Sequence, residues 1–279
     1  MAWFQVNFFS QSLSRPVNMH VLLPVETSGG ADSREGFRTL YLLHGYGGSE
    51  SSWLLNAPVL ELSRRFGLAI VMPEGDNGFY VDQPTSGVSF GSFVGRELVE
   101  YTRRMFPLSR AREDTLIGGM SMGGFGALIT ALRYPGNFGH CIALSAALTF
   151  DEYADLPEEN RACFRRLFGS SGRLEESGNS PRRLARELLG SGAQLPDIYL
   201  ACGYNDTISD ENRDLHRYFT SIGLPHVYEE GPGSHEWPFW RRFLERGLVH
   251  ALGEPPAEAV SPFAVDNYDP EFDVIGRAD

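Results

Sequence analysis

Short apolar runs alternate along this chain with longer stretches in which apolar residues recur every three or four positions. Residues 3–9 and 19–23 read as two edge strands joined by a polar turn. Residues 39–43, 68–72, 115–117, 141–144 and 198–201 are brief and apolar throughout, the pattern of parallel strands buried on both faces, and 227–230 reads as a last strand. Between them lie helical spacings. Val94, Leu98, Tyr101 and Met105 share one helix face, as do Leu215, Phe219 and Ile222, after which Gly223 ends the helix. Trp240, Phe243 and Leu244 begin the apolar face of a final helix. Strands alternating with helices predict an α/β fold with a largely parallel sheet.

Two stretches break the rhythm. Residues 149–196 are charged and helix-prone, with Gly and Ser interruptions, and read as an insertion after the sixth strand that caps a site. Residues 254–279 form an acidic, proline-containing tail, either disordered or packed over a neighbouring surface. A length of 279 residues suits one large α/β domain or two small ones, and residues 1–253 are expected to form one.

Composition narrows the class of partner. The formal net charge is −12 and every basic side chain counted is Arg, a balance that disfavours nucleic acid and anionic membranes. No apolar stretch is long enough for a membrane span. Cys141, Cys163 and Cys202 are an odd number, and two of them fall in strand-like runs, so free thiols are expected rather than a disulfide framework. The first residues lack a basic segment followed by an apolar core, and the expectation is a cytoplasmic protein.

The pattern Gly-x-Ser-x-Gly occurs twice, around Ser89 and around Ser121. A nucleophile elbow needs a buried strand before the serine and a helix after it, with glycines on both sides so that strand and helix can approach. Ser121 has both: 115–117 leads into Gly118 and Gly119, and Gly123-Gly124-Phe125-Gly126 opens a helix. Ser89 follows a polar loop containing Pro84 and reads as a loop residue before a helix. A serine hydroxyl needs a base, and the base needs a carboxylate to hold its tautomer. Of the histidines after Ser121, His140 and His226 adjoin strands and His216 and His250 lie in helices. His235 alone sits in a glycine-rich loop just past the last strand, at the sheet edge where catalytic groups collect. Asp206 and Asp210 both follow the 198–201 strand. Asp206 lies closer to the strand's end, whereas Asp210 opens a helix, where a carboxylate is favoured without any catalytic role. A tetrahedral intermediate also needs donors for its oxyanion, and the backbone N–H groups of Met122 and Tyr46 are the candidates. His44 precedes the elbow and reads as structural. The histidines show no metal-ligand spacing, so no metal or cofactor is expected.

The strings Tyr41-Leu42-Leu43-His44-Gly45, Gly119-Met120-Ser121-Met122-Gly123-Gly124, Cys202-Gly203-Tyr204-Asn205-Asp206 and Gly233-Ser234-His235-Glu236-Trp237 resemble the esterase D-like group of α/β-hydrolases. That group contains tributyrin-type esterases, S-formylglutathione hydrolases, family 1 carbohydrate esterases and mycolyltransferases, and residues 6–13 look most like the tributyrin esterase branch. The resemblance spans roughly residues 6–252 and matches 149–196 only loosely. It implies an α/β-hydrolase fold with a mostly parallel sheet of about eight strands. It also implies Ser121, Asp206 and His235 as a triad, with Tyr46 as an oxyanion donor. Glu236 stands where the family often has Asp, and 73–80 is only similar to the loop that lines the family's pocket, so the choice of substrate stays open. The expected activity is hydrolysis of short-chain acyl esters of small alcohols or sugars. Acetyl-xylan or feruloyl esterase, S-formylglutathione thioesterase and a non-catalytic binding protein are the alternatives. Homo-oligomerisation is left open.

Overall fold

The apolar runs become strands because helices cover the sheet on both sides. The computed structural model describes residues 1–25, 36–83, 86–148, 158–169 and 173–255. In chain order it contains β1 (Ala2–Ser10), β2 (Arg15–Leu23), β3 (Arg38–Leu43), α1 (Ser52–Asn56), α2 (Val59–Phe66) and β4 (Leu68–Pro73). Next comes α3 (Phe90–Ser92), which continues through a π-turn at Phe93–Glu97 into α4 (Leu98–Met105). Then follow β5 (Thr115–Met120), α5 (Met122–Arg133), β6 (His140–Leu144), α6 (Glu158–Phe168), α7 (Pro181–Ser191), β7 (Asp197–Gly203), α8 (Ser209–Ser221), β8 (Val227–Gly231) and α9 (Trp237–Leu252). The strands form one eight-stranded sheet in the order β1-β2-β4-β3-β5-β6-β7-β8. Only the pairings of β2 with β1 and with β4 are antiparallel. This is the expected α/β-hydrolase arrangement.

One expectation needs correction. β1 is an edge, but β2 is not: it pairs with β1 on one side and with β4 on the other. Every residue from Met19 to Leu23 is buried as a result. The unbroken apolar run there reflects cover on both faces, as in the parallel strands.

Side chains alternate between two cores. Tyr41, Leu43, Val71, Ile117, Ala143 and Leu200 face one, covered by α4, α5, α7 and α8. Leu40, Leu42, Ile70, Leu116, Ile142 and Tyr199 face the other, covered by α2 and α9. α5 is buried from Met122 to Leu132, which places it at the centre of its layer. Within the 149–196 stretch, α7 buries Leu184, Ala185 and Leu188 and lies in the flanking helix layer against α5 and α8. α6 instead brings Phe164 and Phe168 toward the carboxyl edge of the sheet, as described below. Cys141 and Cys202 are buried free thiols. The side chain of Cys163 and residues 256–279 of the tail lie outside the described residues. Among the described residues no helix is long and apolar enough to cross a membrane.

Candidate active site

Ser121 is the single residue between β5 and α5, and its backbone is left-handed (φ 56°, ψ −119°). Such a conformation disfavours any residue but glycine and persists only where its surroundings impose it. Here three hydrogen bonds do so. Ser121 N–H donates to the Leu144 carbonyl (2.9 Å), and the Ser121 carbonyl accepts from Phe125 N–H (3.0 Å) and Ala147 N–H (3.1 Å). The flanking glycines are explained by close approach. A Cβ on Gly119 would lie 2.6 Å from the Gly123 backbone, and one on Gly123 would strike the Leu43 carbonyl oxygen. The turn therefore lifts the serine hydroxyl off the carboxyl end of the sheet.

His235 meets it there. Its Nε2 lies 2.9 Å from Ser121 Oγ, and its Nδ1 lies 3.1 and 3.0 Å from the two oxygens of Asp206. A carboxylate only accepts, so Nδ1 carries the proton and Nε2 turns its lone pair to the Ser121 hydroxyl. The His235 ring stands edge-on to Trp240 at a centroid distance of 4.9 Å. The Asp206 side chain is wholly buried. Burial alone would push its carboxyl up, but hydrogen bonds from His235, Ser145 and the Ile208 N–H outweigh it and hold the group below the usual carboxylate range. Asp210, the competitor, is out on the surface, paired with Arg213 at 2.7 Å.

The other histidines are engaged elsewhere. His140 and His250 both reach Asp197, and His216 pairs with His226. His44 is buried and structural: its Nδ1–H donates to the Gly45 carbonyl (2.8 Å) and its Nε2 accepts from Gly75 N–H (2.9 Å). Burial lowers its pKa, which keeps the ring in the neutral form that this pair of bonds requires. His44 so ties the loop after β3 to the loop after β4. Tyr80 reinforces the tie by donating to the His44 carbonyl at 3.0 Å.

The loop tied this way lies against the elbow, since a Cβ on Gly45 would stand 3.4 Å from that of Ser121. Among the described residues the backbone N–H groups of Tyr46 and Met122 donate to no other group of the chain. Met122 opens α5, whose first amides have no acceptor within the helix and carry its positive dipole end. Ser89, as expected, directly precedes a helix and lies outside this constellation.

Sequence reasoning pointed to 73–80 as similar to a pocket-lining loop and to 149–196 as a cap, but missed the aromatic cluster that the two build together. Phe79, left-handed at φ 50°, meets Phe125, Phe164 and Phe168 edge-to-face and Tyr46 at a tilt, at about 6 Å centroid distance. Phe125 lies in the first turn of α5, just after Ser121, and α6 supplies two of the cluster's rings. No residue pattern betrays it, because Phe79 owes its place to an unusual backbone angle. Among the described residues no group of three or more His, Cys, Asp or Glu side chains is placed to hold a metal ion.

Known proteins share this architecture. The Esterase family model, described as "Putative esterase", matches residues 10–251. An acetyl esterase of Caldicellulosiruptor saccharolyticus is 40% identical over 255 residues, which cover 88% of this chain and 96% of the relative. Among solved structures, the fluorophosphonate-binding serine hydrolase F of Staphylococcus aureus is similar with a TM-score of 0.81 and 27% identity, over 90% of this chain and 98% of that one. The S-formylglutathione hydrolase of the same organism follows at 0.79 and 26%, over the same shares. With the family match running over nearly the whole described chain, this protein belongs to the Esterase family and is a serine ester hydrolase of the α/β-hydrolase fold.

Proposed function

We propose that Ser121, His235 and Asp206 are the catalytic triad and that the enzyme cleaves short-chain acyl esters in two steps. Ser121 Oγ attacks the ester carbonyl carbon while its proton passes to His235 Nε2. The Tyr46 and Met122 amides hold the oxyanion of the tetrahedral intermediate. Its collapse breaks the bond to the alcohol oxygen, which takes the proton from His235, and leaves an acyl group on Ser121. Water then attacks that group with the same base, releasing the acid and restoring the serine. Asp206 keeps the imidazole in its working tautomer and stabilises the imidazolium that forms at each step. The 2.9 Å contact of Ser121 Oγ with His235 Nε2, on a left-handed elbow, carries this reading.

The ring cluster beside the elbow supports short acyl groups, because Phe79, Phe125, Phe164 and Phe168 fill space that a long chain would need. The acetyl esterase relative supports acetyl as the group transferred. Residues of α6 stand over this side, which supports reading part of 149–196 as a cover for the acyl pocket. The buried free thiols Cys141 and Cys202 support a reducing, cytoplasmic setting, which cell fractionation checks: secreted protein would overturn it. The acyl-enzyme itself is tested with p-nitrophenyl acetate. A burst of p-nitrophenol that Ser121→Ala abolishes supports the mechanism, whereas undiminished turnover in that variant refutes it. A panel of acetylated xylo-oligosaccharide, methyl ferulate and S-formylglutathione then ranks the alcohol or thiol that leaves.

A further inference from the structure

We infer that Tyr80 and Asn77 are positioning residues for the reaction: from the loop after β4 they grip the turn that carries the Tyr46 N–H, one on each side of it, and so set that oxyanion donor against Met122. The inference rests on the oxyanion reading above.

The loop that bears them is a rigid support. Asp76, Phe79 and Tyr80 are left-handed there, at φ 45°, 50° and 55°. Non-glycine residues hold such angles only where their surroundings impose them. On the outer side Arg15, the first residue of β2, pairs with Glu74 (2.9 Å) and Asp76 (2.7 Å). Glu74 N–H donates to the Asn18 carbonyl of the same strand at 3.0 Å. The loop is therefore anchored to β2 before it touches the site.

The two oxyanion donors come from different elements, Tyr46 from the loop after β3 and Met122 from the start of α5. Both must lie within about 3 Å of one oxygen. Tyr80 spans the gap between those elements. Its ring is fully buried and flush against α5, since a Cβ on Gly126, one turn along from Met122, would stand 2.3 Å from it. Its hydroxyl donates to the His44 carbonyl at 3.0 Å, two residues before Tyr46. Burial raises the Tyr80 pKa, so that hydroxyl stays protonated. Asn77 takes the other side: its Oδ1 accepts from Gly47 N–H at 2.7 Å, one residue after Tyr46. The turn itself is closed by Gly48 N–H donating to the Gly45 carbonyl (3.0 Å), and Gly47 is its third residue, at φ 72°. That is the form of a type II turn, whose central peptide can flip to the type I form. Asn77 holds the N–H of that central peptide and so holds it one way round. With Gly47 N–H occupied, the Tyr46 N–H beside it is left for the substrate.

The test compares wild type with Tyr80→Phe, Asn77→Ala and Tyr46→Pro, each checked for cooperative thermal unfolding. Tyr80→Phe keeps the buried ring, and Asn77 is exposed, so neither change hollows the core. The probes are p-nitrophenyl acetate and methylboronic acid, the boron counterpart of an acetyl group. Ser121 Oγ adds to the boron while its proton passes to His235, which leaves an anionic tetrahedral adduct like the intermediate. Full loss of a donor costs ~10²–10³ in turnover, and a displaced donor costs a share of that. The expected fall in kcat is roughly tenfold for Tyr80→Phe and roughly threefold for Asn77→Ala, where water replaces part of an exposed bond, with KM little changed. Boronate affinity should fall by the same factors. A role in stability alone lowers the unfolding temperature and leaves that affinity untouched. Wild-type boronate affinity in either folded variant would therefore overturn the inference. Tyr46→Pro keeps the two claims apart, because it removes the donor itself at a turn position where proline is favoured. Wild-type turnover there sinks the oxyanion reading. Turnover lost there, with boronate affinity intact in Tyr80→Phe or Asn77→Ala, sinks only the positioning role.

Discussion

At the scale of single residues, the site is a contest between burial and hydrogen bonding that the carboxylate wins. Asp206 is out of water, yet hydrogen bonds, those of His235 and the Ile208 N–H among them, hold its carboxyl below the usual carboxylate range. Its value to His235 is geometric as much as electrostatic, since an acceptor at Nδ1 leaves a lone pair at Nε2. Asp206→Asn keeps the shape but offers an NH₂ group to Nδ1, which drives the proton to Nε2 and turns an N–H toward Ser121. Turnover should fall roughly 10³–10⁴-fold with KM little changed. Steady-state kinetics on p-nitrophenyl acetate checks this, and a fall of less than about tenfold would mean that the tautomer is held by something else.

At the scale of elements, what was legible in the sequence is what local patterns encode. The β5–Ser121–α5 turn shows itself through glycines that only close backbone contact requires, and His235 through a glycine-rich loop at the end of β8. Long-range demands left no such mark. The spacing of Val94, Leu98, Tyr101 and Met105 reads as one α-helix, yet a π-turn interrupts it where Asn137 bonds the Gly95 carbonyl at 2.8 Å and the Tyr134 ring packs against Gly95. β2 passed for an edge because its second partner, β4, lies some fifty residues later. The stretch 149–196 read as a cap from its charge and interruptions, but did not show that α6 ends in the stacked rings of Phe164 and Phe168, packed against Phe79. That placement has a consequence for specificity. Phe164→Ala, at a ring that is only partly buried, opens space next to Phe79 without hollowing the main core. The ratio of kcat/KM for p-nitrophenyl hexanoate over acetate should rise by roughly 3–10-fold, the worth of one or two accommodated methylenes. An unchanged ratio would place the acyl chain elsewhere.

At the scale of the whole molecule, the same sheet that presents the triad at its carboxyl edge holds a second ionic cluster at the opposite edge. There Asp197, at the start of β7, accepts from His140 at the start of β6 (3.2 Å) and from His250 near the end of α9 (3.0 Å). The hydrogen bond from His140 is the largest cause of a lowered Asp197 pKa, opposed by burial and joined by His250. A carboxylate whose folded pKa lies below its unfolded value of 3.8 stabilises the fold above that pH and loses the contribution as pH falls through the folded value. His44 acts earlier on the same descent. Burial sets its folded pKa below the unfolded 6.5, so its neutral, loop-tying form is favoured above 6.5 and is lost as pH falls toward the folded value. Thermal unfolding followed from neutral to acid pH should therefore show stability declining below 6.5 and again below 3.8, with Asp197→Asn lessening the second decline and leaving the first unchanged. A wild type whose stability is constant between pH 6.5 and 3.8 would contradict the part given to His44.

The most direct test of the account is the site of the covalent intermediate. Protein quenched in acid during turnover of p-nitrophenyl acetate and digested should carry one acetyl group, on the peptide containing Ser121, with none on that peptide in Ser121→Ala. Acetyl on any other residue that kinetics show to be competent for turnover, or steady turnover with the Ser121 peptide unmodified throughout, would contradict it.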